Sequence, residues 1–193
     1  WAHDPSNRST WQVADINSGS GHGMTTGEFM LIGDTLYFSA DDGITGKELW
    51  AHDTSNHSTW QVADINSGAG DSDALGGSLL RILDGDTLYF VADDGSTGHE
   101  LWAHDTSNHS TWQVADINSG SGDSNPGGTM HYLVGDTLYF GANDGSTGYE
   151  LWAHDTSNHS TWQVIDLWTG GSNGNIHSSY PGSTLDVLVG DTL

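Results

Sequence analysis

Trp50-Ala51-His52-Asp53-Thr54-Ser55-Asn56-His57-Ser58-Thr59-Trp60-Gln61-Val62-Ala63-Asp64-Ile65-Asn66-Ser67-Gly68 recurs letter for letter at residues 102–120. Residues 1–19 repeat it with two changes, Pro5 and Arg8, and residues 152–170 repeat it until Ile165, Leu167, Trp168 and Thr169. The leading tryptophans, Trp1, Trp50, Trp102 and Trp152, are about 50 residues apart. A period of that length marks a solenoid, a propeller or an array, and it decides the fold before any local argument does. It also weighs against a single catalytic centre, because chemistry repeated in every unit is rarely catalytic.

Working outward from the repeat, residues 29–65 make a type unit. Phe29-Met30-Leu31-Ile32 is a short apolar run closed by the turn signal Gly33-Asp34. The aromatic-rich run Leu36–Ala40 follows, then the loop Asp41-Asp42-Gly43-Ile44-Thr45-Gly46. Residues 48–52 are expected as a third strand, with Glu48, Trp50 and His52 alternating onto one face. After the polar turn 53–58, residues 59–65 form a fourth. No stretch carries an apolar period of 3.6, so helix is not expected. The unit reads as a four-stranded antiparallel meander. Radial stacking of such sheets gives an all-β propeller, with Tyr37, Phe38, Trp50 and Trp60 filling the wedge between blades.

The Gly-Asp-Thr-Leu turn occurs at Gly33, Gly85, Gly135 and Gly190. Four blades are therefore expected in one domain over residues 1–193. The N-terminal segment would supply strands three and four of a closing blade, and the C-terminal segment its first strand and the start of its second. The competing reading is a window on a longer array, or a unit that pairs with another copy.

Leu36-Tyr37-Phe38, Asp42-Gly43, Gly46, Glu48-Leu49-Trp50, Asp53, Thr59, Val62, Asp64 and Ile65 together resemble the bacterial ELWxxDGT repeat and, more loosely, the kelch repeat. The resemblance covers essentially the whole chain. It departs where Thr54 and Ser58 stand in place of two glycines. It implies an extracellular propeller and adds fold and location more than function.

Composition narrows the partners. Asp and Glu total 26 against three Lys and Arg (Arg8, Lys47, Arg81), a formal charge of −23. Nucleic acid and anionic membranes need basic surfaces, so neither is expected as a partner. No apolar stretch approaches the ~20 residues that span a bilayer. Cysteine is absent, so no disulfide takes part. Only Glu28, Glu48, Glu100 and Glu150 are glutamates; the rest of the acid is aspartate, placed in turns and loops. A secreted or cell-surface location fits such a surface.

In a meander, the link from strand two to three and the exit from strand four lie at the same end. That end gathers Asp15, Asn17, Asp41, Asp42, Asp64, Asn66, Asp93, Asp94, Asp116, Asn118 and Asp144. Calcium takes six to eight oxygen ligands, so calcium is the cation these loops would suit. The alternative is that the aspartates cap turns by accepting local backbone N–H groups. The same end carries the divergent segments 20–28, 69–78, 121–129 and 171–183. Binding residues concentrate on loops held by rigid frames, and Trp168, His177 and Tyr180 are the ligand-binding candidates. The opposite end carries the pairs His52/His57, His104/His109 and His154/His159, with Arg8 replacing the second histidine beside His3. Two histidines across a turn can share zinc, copper or nickel, or can serve structure alone. No Gly-x-Ser-x-Gly elbow is present, and no carboxylate pair is singled out from its copies. The expectation is a non-enzymatic module that binds carbohydrate or protein, with calcium as structural glue, or else a structural unit of an extracellular assembly or a duplicated or designed repeat scaffold.

Overall fold

The computed structural model describes residues 1–76, 80–128 and 130–166, and all of their regular structure is β. The elements are β1 (Ala2–Asp4), β2 (Ser9–Trp11), β3 (Met24–Ile32), β4 (Thr35–Asp41), β5 (Lys47–Asp53), β6 (Thr59–Ala63) and β7 (Arg81–Asp84). They continue as β8 (Thr87–Asp93), β9 (His99–Asp105), β10 (Thr111–Ala115), β11 (His131–Val134), β12 (Thr137–Asn143), β13 (Tyr149–Asp155) and β14 (Ser160–Ile165). Strands β3–β6, β7–β10 and β11–β14 form three four-stranded meanders, and β1 pairs with β2 alone. These are the four strands per repeat that the sequence leads one to expect. The strands expected to complete the blade of β1 and β2 fall on the C-terminal segment, outside the described residues. No described helix is long and apolar enough to cross a membrane.

Register repeats from blade to blade. Phe38 pairs with Trp50 and Leu36 with His52, as Phe140 pairs with Trp152 and Leu138 with His154. The pairing of strands three and four slips by one residue at the same place in each blade, between Leu49 and Trp50, between Gln113 and Ala115, and between Leu151 and Trp152. Such a bulge bends the outer strand and deepens its twist. Strand four ends at Ala63 rather than Ile65, which leaves the ladder and buries its side chain.

The chain divides into two compact units. The first holds the β1–β2 hairpin and the β3–β6 blade. Strand β5 is buried on both faces, with Glu48, Leu49, Ala51 and His52 inside and Trp50 half-buried. Glu48, Trp50 and His52 fall on one face of this regular strand, as expected, and the opposite face, with Leu49 and Ala51, is buried as well. The second unit holds the other two blades. Its core joins Tyr89 and Val91 of β8, Leu101 and Ala103 of β9, and Leu138, Phe140 and Ala142 of β12, closed by Leu80 and Ile117. Alternate residues of neighbouring blades thus form one apolar wedge, with Trp112 and Trp152 packed partly buried at its margin. Burying aromatic side chains of this size supplies roughly 2–3 kcal/mol apiece.

The end of each blade opposite the divergent loops is latched. Thr54 donates from its N–H (2.8 Å) and its hydroxyl (2.9 Å) to the Asp34 carbonyl, and Thr106–Asp86 and Thr156–Asp136 repeat the pair of bonds. Pro5 at this place in the hairpin offers neither donor. The turn requires a left-handed residue, and His57, His109, His159 and Arg8 take it, with φ of 64°, 63°, 61° and 59°. The strained position is therefore His57, one residue before Ser58.

Candidate functional site

The end of the blade that carries the divergent loops is organised by a buried glutamate. Glu48 accepts the N–H of Ile65 (2.7 Å) and of Asn66 (3.2 Å). Glu100 accepts Ile117 N–H (2.8 Å), Asn118 N–H (3.3 Å), Ser124 N–H (3.1 Å) and the Ser124 hydroxyl (2.6 Å). Burial raises both carboxyls above the ordinary range, while the accepted hydrogen bonds pull the other way. Glu150 is buried at the same position in the third blade. One carboxylate thus ties the exit of strand four to the start of the divergent loop. The sequence signal for it was available: these are the glutamates in a chain whose other loop acids are aspartate.

The asparagine two residues past the exit aspartate is a spacer. Asn66 Nδ2 donates to the Asp71 carbonyl (3.0 Å), and Asn118 Nδ2 to the Asp123 carbonyl (3.1 Å). The Asn66 amide lies so close to Gly70 and Gly95 that a Cβ on either would approach its Oδ1 to 2.5 and 2.6 Å. Asn118 stands in the same way between Gly122 and Gly145, and Asn17 between Gly21 and Gly43. These amides fill the gap between one loop and the next, a role that needs glycine on both sides.

The loop aspartates act on their own turns. Asp41 accepts Gly43 N–H (2.6 Å) and Asp93 accepts Gly95 N–H (2.7 Å). Asp42 Oδ1 accepts the N–H of Ile44 and Thr45 (both 2.8 Å) and the Thr45 hydroxyl (3.1 Å). Asp144 does the same for Ser146 and Thr147. The Thr45 amide, ahead of the other causes, holds Asp42 below the usual carboxylate range. Asp94 occupies the equivalent place in the second blade, and Asp15, Asp64 and Asp116 are exposed at the exits of strand four. Among the described residues, no three His, Cys, Asp or Glu side chains are gathered to hold a metal ion. Of the residues named for calcium, Asp41, Asp42, Asp93 and Asp144 cap their own turns through Oδ1 as Asx turns do. Trp168, His177 and Tyr180 lie outside the described residues.

Two loops are described closely. In the first, Ser72, Ala74 and Leu75 are buried while Asp71 is exposed. In the second, Ser124, Pro126 and Gly127 are buried while Asp123 and Gly128 are exposed. Both take left-handed residues at matching places, Asp73 and Leu75 in one, Asn125 and Gly127 in the other. They fold inward as built turns and present a few polar groups.

At the other end, His52, His104 and His154 are buried, and each Nδ1 meets a threonine hydroxyl, Thr59, Thr111 and Thr161, at 2.8–2.9 Å. The outer rings of His57, His109 and His159 sit 6.4 Å away. With Nδ1 taken by threonine and Nε2 of His154 buried against protein, the inner ring offers a metal no accessible nitrogen. His154 also lies 5.5 Å from the ring of Tyr89, which makes it part of the packing of its unit.

A hollow of about 750 Å³ lies in the first unit, lined by Trp1, Trp11, Phe29, Leu36, Phe38 and His52 among others. Trp1 and Trp11 are the counterparts of Trp50 and Trp60, and β1 is the counterpart of β5, which has β4 on its other side. The lining joins the β1–β2 hairpin to the β3–β6 sheet, and beside its aromatic rings it carries Asp15 and Asn17 and, from the divergent segment, Gly21, His22, Gly23 and Met24.

No protein-family model and no curated protein matches the sequence. Among solved structures, the chain is similar to a mutant of puromycin hydrolase complexed with PGG, at 14% identity and a TM-score of 0.52, over 70% of this chain and 20% of that one. It is also similar to TolB from Acinetobacter baumannii (16%, TM-score 0.42, 68% and 29% of the two chains) and to an oligogalacturonate lyase in complex with manganese (14%, 0.45, 72% and 36%). The chain spans well under half the length of each. The first likeness shows the fold: these four-stranded antiparallel sheets are β-propeller blades.

Proposed function

We propose that this chain is a non-catalytic, extracellular propeller module that binds a carbohydrate or protein ligand through its divergent loops. One observation carries the reading. Repeats identical over 19 residues end in loops that differ, and the same glutamate and asparagine bonds hold those loops in two of the described blades. A constant frame with divergent, pinned loops is the arrangement of a recognition surface. The resemblance to ELWxxDGT repeats supports the location. In this reading Asp41, Asp42, Asp93 and Asp144 hold the shape of their own turns through Oδ1.

The test is a glycan microarray probed with the labelled full chain, beside a variant whose residues 123–128 are replaced by glycine and serine. Binding that the loop replacement abolishes supports the reading. Spots of equal strength for both chains would sink it, and an empty array would remove its carbohydrate arm.

A second reading is favoured by a different observation. Phe29 and Leu31 on β3 are 64% and 59% exposed, and Trp162, Val164 and Ile165 on β14 are exposed as well. Apolar side chains in open view on β3 and on β14 suit a unit that assembles with its own kind. Sedimentation equilibrium across a hundredfold concentration range separates the two, because an assembly unit gains mass and a monomeric binding module does not.

A further inference from the structure

Strand three of the repeat reads Lys-Glu-Leu-Trp-Ala-His-Asp, His-Glu-Leu-Trp-Ala-His-Asp and Tyr-Glu-Leu-Trp-Ala-His-Asp in the three described blades. Six of seven positions are constant, and the seventh touches a divergent loop in every case. Lys47 donates its N–H to Asp71 Oδ1 (2.9 Å), and its ammonium reaches Asp71 Oδ2 (2.7 Å) and Asp73 Oδ1 (3.2 Å). It is the one lysine in the chain. His99 donates its N–H to Asp123 Oδ1 (2.8 Å) and places Nδ1 at 3.1 Å from the same oxygen. The Tyr149 hydroxyl donates to the Asn125 carbonyl (2.7 Å) and accepts Gly128 N–H (2.8 Å).

For Lys47 and His99 the backbone half of this contact does not vary. Ser72 N–H donates to the carbonyl of Lys47 at 2.8 Å, and Ser124 N–H to that of His99 at 3.1 Å. Tyr149 reaches back to the loop that His99 also touches, so that loop is held from two strands; the side chains suit their targets, an ammonium against two carboxylates at Lys47 and a phenol against a carbonyl and an amide at Tyr149. The first loop also holds Leu75 left-handed at φ 61°, a conformation costly for a residue with a branched side chain, where the second loop has Gly127.

We propose that residues 47, 99 and 149 are the specificity-determining positions of the loop surface, each a positioning residue that selects the conformation of the divergent loop it touches. The proposal rests on the binding reading above for its function and on the loop contacts alone for its mechanism. Two kinds of clamp follow. Loop 71–76 is held by ion pairs between half-exposed groups, which salt screens. Gly128 is held by a neutral phenol, which salt does not.

Amide hydrogen exchange on the full-length chain tests this. Lys47→Met is expected to speed exchange across 71–76 roughly two- to fivefold, the range for exposed ion pairs, with β8 and β12 unchanged and Lys47→Arg restoring protection. Tyr149→Phe is expected to speed exchange at Gly128 about tenfold, from two lost hydrogen bonds, leaving 71–76 alone. In 1 M NaCl the wild-type 71–76 loop loosens, while Gly128 and the Lys47→Met loop do not respond. On the glycan array, Lys47→Met changes the pattern of spots and Lys47→Arg keeps it. Unchanged exchange in both variants, or loosening of both loops by either substitution, overturns the proposal. An empty array with the exchange results intact removes the binding reading and leaves the positioning roles standing; an unchanged pattern of spots in Lys47→Met removes the specificity role.

Discussion

Acidification from pH 7.5 to pH 5 is expected to destabilise this protein through two imidazoles. His104 and His154 are each 1% exposed. Burial, then the charge of His109 or His159 beside them, lowers both to about 4 from 6.5. Above pH 6.5 the imidazoles are neutral in the folded and the unfolded chain, and the full stability is present. As pH falls below 6.5 the unfolded chain takes up protons that the folded one refuses, and stability is lost until the folded value is reached. At 1.36 kcal/mol per unit, the whole gap of about 2.5 units is worth about 3 kcal/mol per histidine. By pH 5 each has lost about 2 kcal/mol. Glu48 and Glu100 oppose this, because their raised values make the folded chain the better proton acceptor. The lowered aspartates, such as Asp42 and Asp105, add their own loss only as pH falls through the carboxylate range.

The assay is urea unfolding by tryptophan fluorescence at fixed ionic strength, at intervals from pH 7.5 to 5, for the wild type and the double variant His104→Phe/His154→Phe. Phenylalanine keeps the ring against Tyr89 and removes the titration. It also removes the bonds to Thr111 and Thr161, a loss of about 1 kcal/mol each that does not depend on pH. The wild type's advantage of about 2 kcal/mol at pH 7.5 should therefore become a deficit of about 2 kcal/mol at pH 5, a relative change of about 4 kcal/mol. Parallel pH profiles for the two proteins would refute the reasoning, since all remaining titrations are common to both.

Other consequences are open to direct measurement. Glu100→Gln turns an amide NH₂ toward one of its two donor sets, Ile117 N–H with the Ser124 hydroxyl or the N–H groups of Asn118 and Ser124, and should cost about 3 kcal/mol in urea unfolding; a loss under about 1 kcal/mol would show that the network is not organising. Gly145→Ala strains a backbone at φ 76° and sets a methyl 2.5 Å from Asn118 Oδ1, so its cost should fall by about 1 kcal/mol in an Asn118→Ala background, read by a double-mutant cycle. Phe140→Ala should cost about 3–5 kcal/mol, because the ring is wholly inside the second unit's wedge. Millimolar EDTA should leave the thermal midpoint unchanged, because Asp41, Asp42, Asp93 and Asp144 spend their Oδ1 on backbone N–H groups; a fall restored by calcium would reverse that assignment.

The blade was legible because its signals are local. Aromatic strands, Gly-Asp turns and the 50-residue period each mark an element without reference to anything distant, and the described strands follow them to within a residue or two at most ends. The bulge after Trp50 and the inward fold of the divergent loops were not legible. Both depend on partners that periodicity does not display: Leu49 opposite Ala63, and Glu48 beneath Ile65. The loop aspartates were read as either turn caps or calcium ligands, since the same residue type serves both. The distinction lies in whether local amides reach the oxygen, which is a matter of backbone conformation. Lys47, His99 and Tyr149 were overlooked for another reason. Reading for repetition draws attention to what is constant, whereas these three are informative because they differ within a constant strand.

The same network explains how a chain with 26 acids and three basic side chains folds at all. Three basic side chains cannot balance that charge, and Lys47 already serves two carboxylates. The backbone supplies the missing donors. Asp4, Asp53, Asp105 and Asp155 each accept a serine hydroxyl and a serine N–H, with the hydroxyl the larger cause of their lowered values. Asp144, which burial alone would push up, is brought below the usual range by the amides of Thr147 and Ser146. Aspartate suits this work because its short side chain reaches the N–H two residues ahead, closing a turn where glutamate would overshoot. Glutamate serves where the reach is longer, from the centre of strand three to the end of strand four. The division between the two acids in this sequence is a division between local and tertiary donors, and it places the charge on turns while the one buried carboxylate of each blade holds the loops.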